Sequence, residues 1–288
     1  MAVLEIDHLV APPKPAGTIT SFIRHAGFVL NLGQWTAGFV RSMGTETSFT
    51  GEVFAKLLKA LTHPRGLRWK ETLIIAEKAG ANAVAITGLL GFLIGTILAF
   101  QTVAAMRQFG AEVFVADLVV IVLFRELGPL ITAVLLTSRT GSAFAAELGT
   151  MKVNEEIDAL TTMGLDPVQF LVLPRIIAVI GVIPLLTMFN MLMGLVGCGL
   201  VMVSWDIPGA IFMDRIRYAA TLTDLFGGLA KTFVFGTLVA GIGCLRGLQT
   251  GVGPTAVGDS TTRAVVSGLI AIIVADGVFA VVYYFLGI

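Results

Sequence analysis

Apolar residues in this chain gather into five long runs, at about 83–104, 113–136, 171–203, 225–245 and 264–287, with polar stretches between them. Each reaches the roughly 20 residues that a helix needs to cross a bilayer's hydrocarbon core. The pattern therefore predicts an all-α membrane protein with five transmembrane helices. The third run is too long for one perpendicular span, and Pro184 inside it predicts a kink. In the first run Gly91 and Gly95 stand at GxxxG spacing, with Gly88 just before them. Small residues at this spacing let two helix backbones approach closely.

The part before these runs reads differently. Pro12, Pro13, Pro15 and Gly17 break any helix over 1–19, which predicts a mobile tail. Residues 22–40 are apolar, but only 16 residues separate Arg24 from Arg41. That is short of a span and predicts a helix lying in the interface. From Glu52 to Leu61 a second amphipathic helix is expected, with Val53, Phe54, Leu57, Leu58 and Leu61 on one face and Lys56 and Lys59 pointing away. Pro64-Arg65-Gly66 ends it, and Arg68-Trp69-Lys70 has the makeup of an interfacial anchor. The expected organisation is a tail (1–19), N-terminal interfacial helices (20–82) and a membrane domain (83–288).

Composition agrees with the membrane assignment: 56% of residues are hydrophobic and 13% charged, against about 25% charged in soluble domains. A net charge of zero argues against a nucleic-acid role. Cys198 and Cys244 fall inside apolar runs and read as buried structural thiols. His8, His25 and His63 are all N-terminal, and no cluster has metal-ligand spacing, so neither a metal site nor a catalytic set is expected. No GxxxxGK[ST] occurs, so no nucleotide cofactor is expected in this chain. The polar, Pro-rich N-terminus has no apolar core of a signal peptide, which suits a bacterial inner membrane. With the N-terminus inside, fourteen Lys and Arg residues fall on the cytosolic side and three outside. This bias predicts a cytosolic N-terminus and a periplasmic C-terminus.

Four ionisable residues lie within the spans: Arg125, Glu126, Lys231 and Asp276. Each costs roughly 2.5–3.5 kcal/mol at the bilayer centre unless it finds a partner. Arg125 and Glu126 are adjacent and point about 100° apart on a helix, so they cannot easily neutralise each other. Helix rise puts all four within reach of one cluster in the middle to outer half of the membrane. Three roles stay open for them: an ion-pair network that fixes packing, the lining of a cavity for a lipid headgroup, or a proton relay.

Between the second and third runs lies SRTGSAFAAELGTMKVNEEIDALTTMGLDP, Ser138 to Pro167, too long for a simple turn. Its second half predicts a helix of about ten residues, roughly 15 Å long. Asn154 is the expected N-cap, and Glu155, Glu156 and Asp158 favour the positive end of the dipole. Ile157, Leu160 and Met163 make an apolar stripe, Gly164 a C-cap, and Pro167 the stop. A helix this short is marginal alone in water, so a partner covering its stripe is expected.

The run LFRELGPLITAVLLTSRTGSAFAAELGTMKVNEEIDALTTMGLDPVQFLVLPR, Leu123 to Arg175, resembles the MlaE family of ABC-transporter permeases. The resemblance continues at KTFVFG (Lys231–Gly236), VGDSTTRAVV (Val257–Val266) and Asp276, and covers about Thr20 to Ile288. It implies a homodimeric permease with an N-terminal interfacial helix and five membrane helices per subunit. Its segment Glu147–Gly164 would be a coupling helix seated on a cytosolic ABC ATPase, which binds the ATP and Mg. The residues so assigned are Glu147, Gly149, Met151, Lys152, Glu155, Glu156, Asp158, Leu160 and Gly164. The resemblance further implies a periplasmic MCE-domain protein on the far side of the membrane, in many members a STAS-domain protein on the ATPase, and phospholipids or other hydrophobic lipids as substrate. From another class, an ion-coupled secondary transporter using the buried charges would show inverted repeats and broken helices in matching halves. No such symmetry is visible, and five spans do not divide into two halves.

Overall fold

The computed structural model describes residues 49–60 and 68–287. The expected tail (1–19) and the interfacial segment 22–40 lie outside the described residues. Residues 49–60 are helical. Seven further helices follow: α1 (Trp69–Phe109), α2 (Glu112–Val153), α3 (Glu156–Thr162), α4 (Val168–Ser204), α5 (Gly209–Ala219), α6 (Leu222–Leu248) and α7 (Pro254–Leu286). No strand occurs among the described residues. Among the described residues, helices α1, α2, α4, α6 and α7 are the five long and apolar enough to cross a membrane, one for each predicted run.

Two boundaries move. Helix α1 begins at Trp69, well before the apolar run, because residues 69–82 are rich in good helix formers that continue the helix past the bilayer. Helix α2 does not stop where its apolar run ends but continues to Val153. Its polar second half stays helical because small residues there pack against neighbours: a Cβ on Gly149 would lie 2.7 Å from the Thr250 hydroxyl. Helix α4 runs through Pro184 as one element.

The segment Glu147–Gly164, which the resemblance assigns as the coupling helix, is therefore divided. Glu147, Gly149, Met151 and Lys152 belong to the last turns of α2, while Glu156, Asp158 and Leu160 belong to the seven-residue α3. Asn154 is not the N-cap. Glu155 occupies that position in the left-handed region (φ 60°) and makes no side-chain capping bond. At the other end the expectation about Gly164 holds, with φ +78° and closing bonds from Gly164 N to Thr161 O and from Leu165 N to Leu160 O. This is the glycine closure that satisfies terminal carbonyls. Asp166 then caps α4, its carboxylate accepting from Val168 N at 2.9 Å.

Close backbone approach organises the bundle. A Cβ on Gly91 would lie 2.4 Å from Asn190 O, and one on Gly95 1.9 Å from Gly194 O, so α1 and α4 touch backbone to backbone. Asn190 also donates to Thr87 O across this seam. Helix α6 does the same to α2: Gly228 abuts Phe124 O and Gly243 abuts Gly141 O. Both contacts fall on π-helical turns of α2, Leu123–Leu127 and Thr137–Gly141. Such turns interrupt the regular hydrogen-bond ladder and gather at functional sites. One apolar core packs Leu123 and Val119 of α2 against Cys198 and Met202 of α4. A second joins Ala133 and Leu136 of α2 to Ile183, Phe235 and Ile272. Cys198 and Cys244 are buried free thiols.

Candidate functional site

Gly228 is where the intramembrane site begins. Its lack of a side chain brings α6 onto the first π turn of α2, and Lys231, three residues on, shares the same helix face. Lys231 is fully buried, and its ammonium donates to Glu126 Oε2 at 2.6 Å and to Asp276 Oδ1 at 3.1 Å. Three helices (α2, α6, α7) are thus joined by one cation. The Tyr283 ring lies 5.4 Å from the ammonium, and its hydroxyl donates to Gly227 O at 2.8 Å. Glu126 remains one-third exposed and Asp276 less so. The triad is therefore sealed around its cation and open on its carboxylate side.

Arg125 does not join this triad. Its guanidinium lies 3.8 Å from Asp224 Oδ1, in the first turn of α6. The reason is local: adjacent residues on a helix diverge, so one of the pair faces Lys231 and the other faces away. Instead of four charges that cancel, the arrangement holds two cations and three carboxylates. Asp224 was not singled out from the sequence, although a signal for it existed. Thr221 caps α6, its Oγ1 accepting from Asp224 N at 3.1 Å and donating to the Asp224 carboxylate at 2.6 Å, and Thr-x-x-Asp before an apolar run marks such a start. Tyr283 carried no comparable signal.

The other assigned residues sit at the opposite end of the bundle. Glu147 is held between Lys78 Nζ (3.1 Å) and the nearly buried Arg175 (3.2 Å), tying α1, α2 and α4 together. Arg175 also donates to Leu171 O. Gly149 packs under Thr250 and Ser260, Met151 is half-buried, and Lys152 pairs with Asp158 at 2.6 Å. The apolar stripe is split: Ile157 is buried, Leu160 half-buried and Met163 exposed. Glu155, Glu156, Asp158, Met163 and Gly164 form the outward surface of this loop.

Helical segment 52–60 docks beside it, and here the sequence expectation is corrected. Lys56 does not point away: it binds both Glu52 and Asp166. Phe54 is exposed while Val53 is buried. Burial opposes the charge on Lys56, but its hydrogen bonds to Asp166 and Glu52 outweigh this and raise its pKa. Burial pushes Asp166 upward, yet the bonds from Lys56 and from the Val168 and Gln169 amides hold it below the usual value. No group of three or more His, Cys, Asp or Glu among the described residues could hold a metal ion.

Five spans, a charge triad across three of them and a folded loop at one end form the pattern of a transport subunit, and residues 72–282 match the family described as Permease MlaE. The chain belongs to the MlaE permease family. It is 38% identical over 229 residues to a protein of Synechocystis sp. named as a probable ABC transporter permease, covering 79% of this chain and 85% of that one. A Rickettsia felis protein of the same description is 33% identical over 249 residues, 85% of this chain and 93% of that one. The chloroplastic protein TRIGALACTOSYLDIACYLGLYCEROL 1 of Arabidopsis thaliana is 33% identical over 235 residues, 81% of this chain and 66% of that one. As an MlaE permease, the chain is a multi-pass membrane protein and a permease subunit, not an enzyme.

Proposed function

We propose that this MlaE permease is the membrane subunit of an ATP-driven ABC transporter moving phospholipids or similar hydrophobic lipids between the bacterial inner membrane and a periplasmic MCE-domain carrier protein. One observation carries the reading. A single helix, α2, bears Glu126 of the buried triad and runs without a break to the exposed loop around α3. A partner that moves the loop therefore pulls on the triad. That partner is a cytosolic ATPase, which binds the ATP and Mg, and its groove receives Glu155, Glu156, Asp158 and Met163. A STAS-domain protein on the ATPase completes the cytosolic side.

Several features support the parts of this assembly. Relatives are named as ABC transporter permeases, and the Arabidopsis relative bears the name of a galactolipid. The bias of fourteen basic residues to three favours α3 on the cytosolic side and the C-terminus in the periplasm. A homodimer would cover α7, where 11% of the most apolar stretch is buried against 33–44% in the other four spans. Glu126 and Asp276 would then face a cavity between subunits where the lipid headgroup enters.

Reconstitution tests the proposal. The chain, purified with its ATPase and placed in liposomes, should transfer a labelled phospholipid to the MCE protein only with hydrolysable ATP. Glu126→Gln should slow that transfer while leaving ATPase binding intact. Transport driven by a pH gradient without ATP would replace this reading with an ion-coupled secondary transporter.

A further inference from the structure

Between α1 and α2, at the end opposite the triad, lies a cavity of about 200 Å³. Lys78, Asn82, Arg139 and Glu147 supply its polar lining, and Ile75 and Phe144 its apolar walls. Glu147 is already shared by Lys78 and Arg175. Arg139 stands on the second π turn of α2, and its guanidinium makes no ion pair or hydrogen bond among the described residues. The cavity therefore holds more positive than negative charge, with one cation uncommitted.

Depth identifies the layer in which that cation sits. From Arg107 to Lys78 along α1 is about 43 Å, and from Glu112 to Arg139 along α2 about 40 Å. Arg107 marks the far boundary, stacked over Trp205 at 4.9 Å, as aromatics are at a membrane interface. A bilayer with its headgroups is about 40–45 Å thick. Two helices thus independently put Lys78 and Arg139 at the phosphate level of the leaflet at the α3 end. Apolar walls beside two cations at this depth match the boundary between glycerol and phosphate.

We propose that this crevice binds the headgroup of an anionic phospholipid from that leaflet, with Arg139 and Lys78 on the phosphate and Ile75 and Phe144 against the glycerol and upper acyl region. The site is separate from the triad, about 20 Å further along α2 toward the α3 end. The inference takes its ligand class from the lipid reading above but needs neither ATPase nor transport, so a transport failure would leave it standing.

Native mass spectrometry of the full chain released from detergent tests it, with phosphatidylglycerol and phosphatidylcholine as probes. The wild-type chain should retain phosphatidylglycerol in preference. Arg139→Gln should weaken that retention about fivefold, as expected for one cation at an anionic surface, and Arg139→Lys should restore most of it. Equal retention of the two lipids, or no change in Arg139→Gln, would overturn the proposal, as would displacement of the lipid by millimolar inorganic phosphate. A second measurement leaves Arg139 native: Ala143→p-benzoylphenylalanine, photoactivated in membranes, should gain the mass of a phospholipid. A crosslink to residues 1–48 or to a second copy of the chain would instead assign the crevice to protein.

Discussion

Two ionic clusters join helices at opposite ends of this permease, and they are built on opposite plans. At one end a single buried cation, Lys231, serves two carboxylates, Glu126 and Asp276. At the other a single half-exposed carboxylate, Glu147, serves two cations, Lys78 and Arg175. The contrast teaches where the energy lies. Lys231 is 0% exposed and has no water to turn to, so its partners decide whether it can be there at all. Lys78 is 69% exposed and loses little when its partner goes. The first cluster can hold or release three helices together; the second trims the edge of a bundle already packed.

The largest effect is expected at Lys231. Lys231→Met leaves Glu126 and Asp276 facing each other without a cation and should destabilise the protein by about 3–5 kcal/mol, read as a lowered midpoint of thermal unfolding in detergent. Adding Glu126→Gln and Asp276→Asn to that variant should recover most of the loss, since a buried ionic group can be replaced whole at little cost. A triple variant as unstable as the single one would break the comparison. Simple charge exchange between Glu126 and Lys231 should not rescue, because Asp276 would then adjoin a second carboxylate.

A middle effect is expected at Arg175, nearly buried and bonded to both Glu147 and Leu171 O. Arg175→Met should cost about 1.5–3 kcal/mol, the range for hydrogen bonds to a charged group. Lys78→Ala at the same carboxylate should cost under about 1 kcal/mol. Equal losses at the two positions would mean that burial does not set the scale.

The smallest effect concerns the exposed pair Lys56–Asp166. Asp166 titrates below its ordinary 3.8, so its contribution is full above that value and lost as pH falls through the lower, folded one. Lys56 titrates above its ordinary 10.5, so its contribution is full below that value and lost as pH rises past it. Docking of segment 52–60, followed by the distance between spin labels at Ala55 and Gln169, should be flat from about pH 5 to 9 and loosen only as pH falls below the ordinary carboxylate range or rises above the ordinary lysine value. Loosening near pH 6 would show another group to be responsible.

Much of this was legible in the chain. Five spans follow from five apolar runs, because backbone in lipid must close its own hydrogen bonds and run length fixes the crossing. A close backbone contact was visible in Gly91 and Gly95, although not that α4 makes it. Lys231 and Asp276 stood out as partners because a charge in an apolar run is conspicuous. The polar regions were harder to read. Helix α2 continues to Val153 although its hydropathy changes at Leu136, since Gly141 packs closely against Gly243 of α6 and Gly149 packs under Thr250. Lys56, assigned to the outer face by periodicity, turns inward because Asp166 offers a carboxylate from 110 residues away.

Amphipathic and apolar patterning by itself determined the class, the number of spans and the need of four intramembrane charges for partners, since all three depend on local transfer energies. Which charges meet was decided by tertiary structure alone. Gly228 sets α6 against the π turn at Leu123–Leu127, Glu126 then faces Lys231, and its neighbour Arg125 is left to Asp224. A one-residue difference in facing separates these fates, and only helix-on-helix packing fixes it.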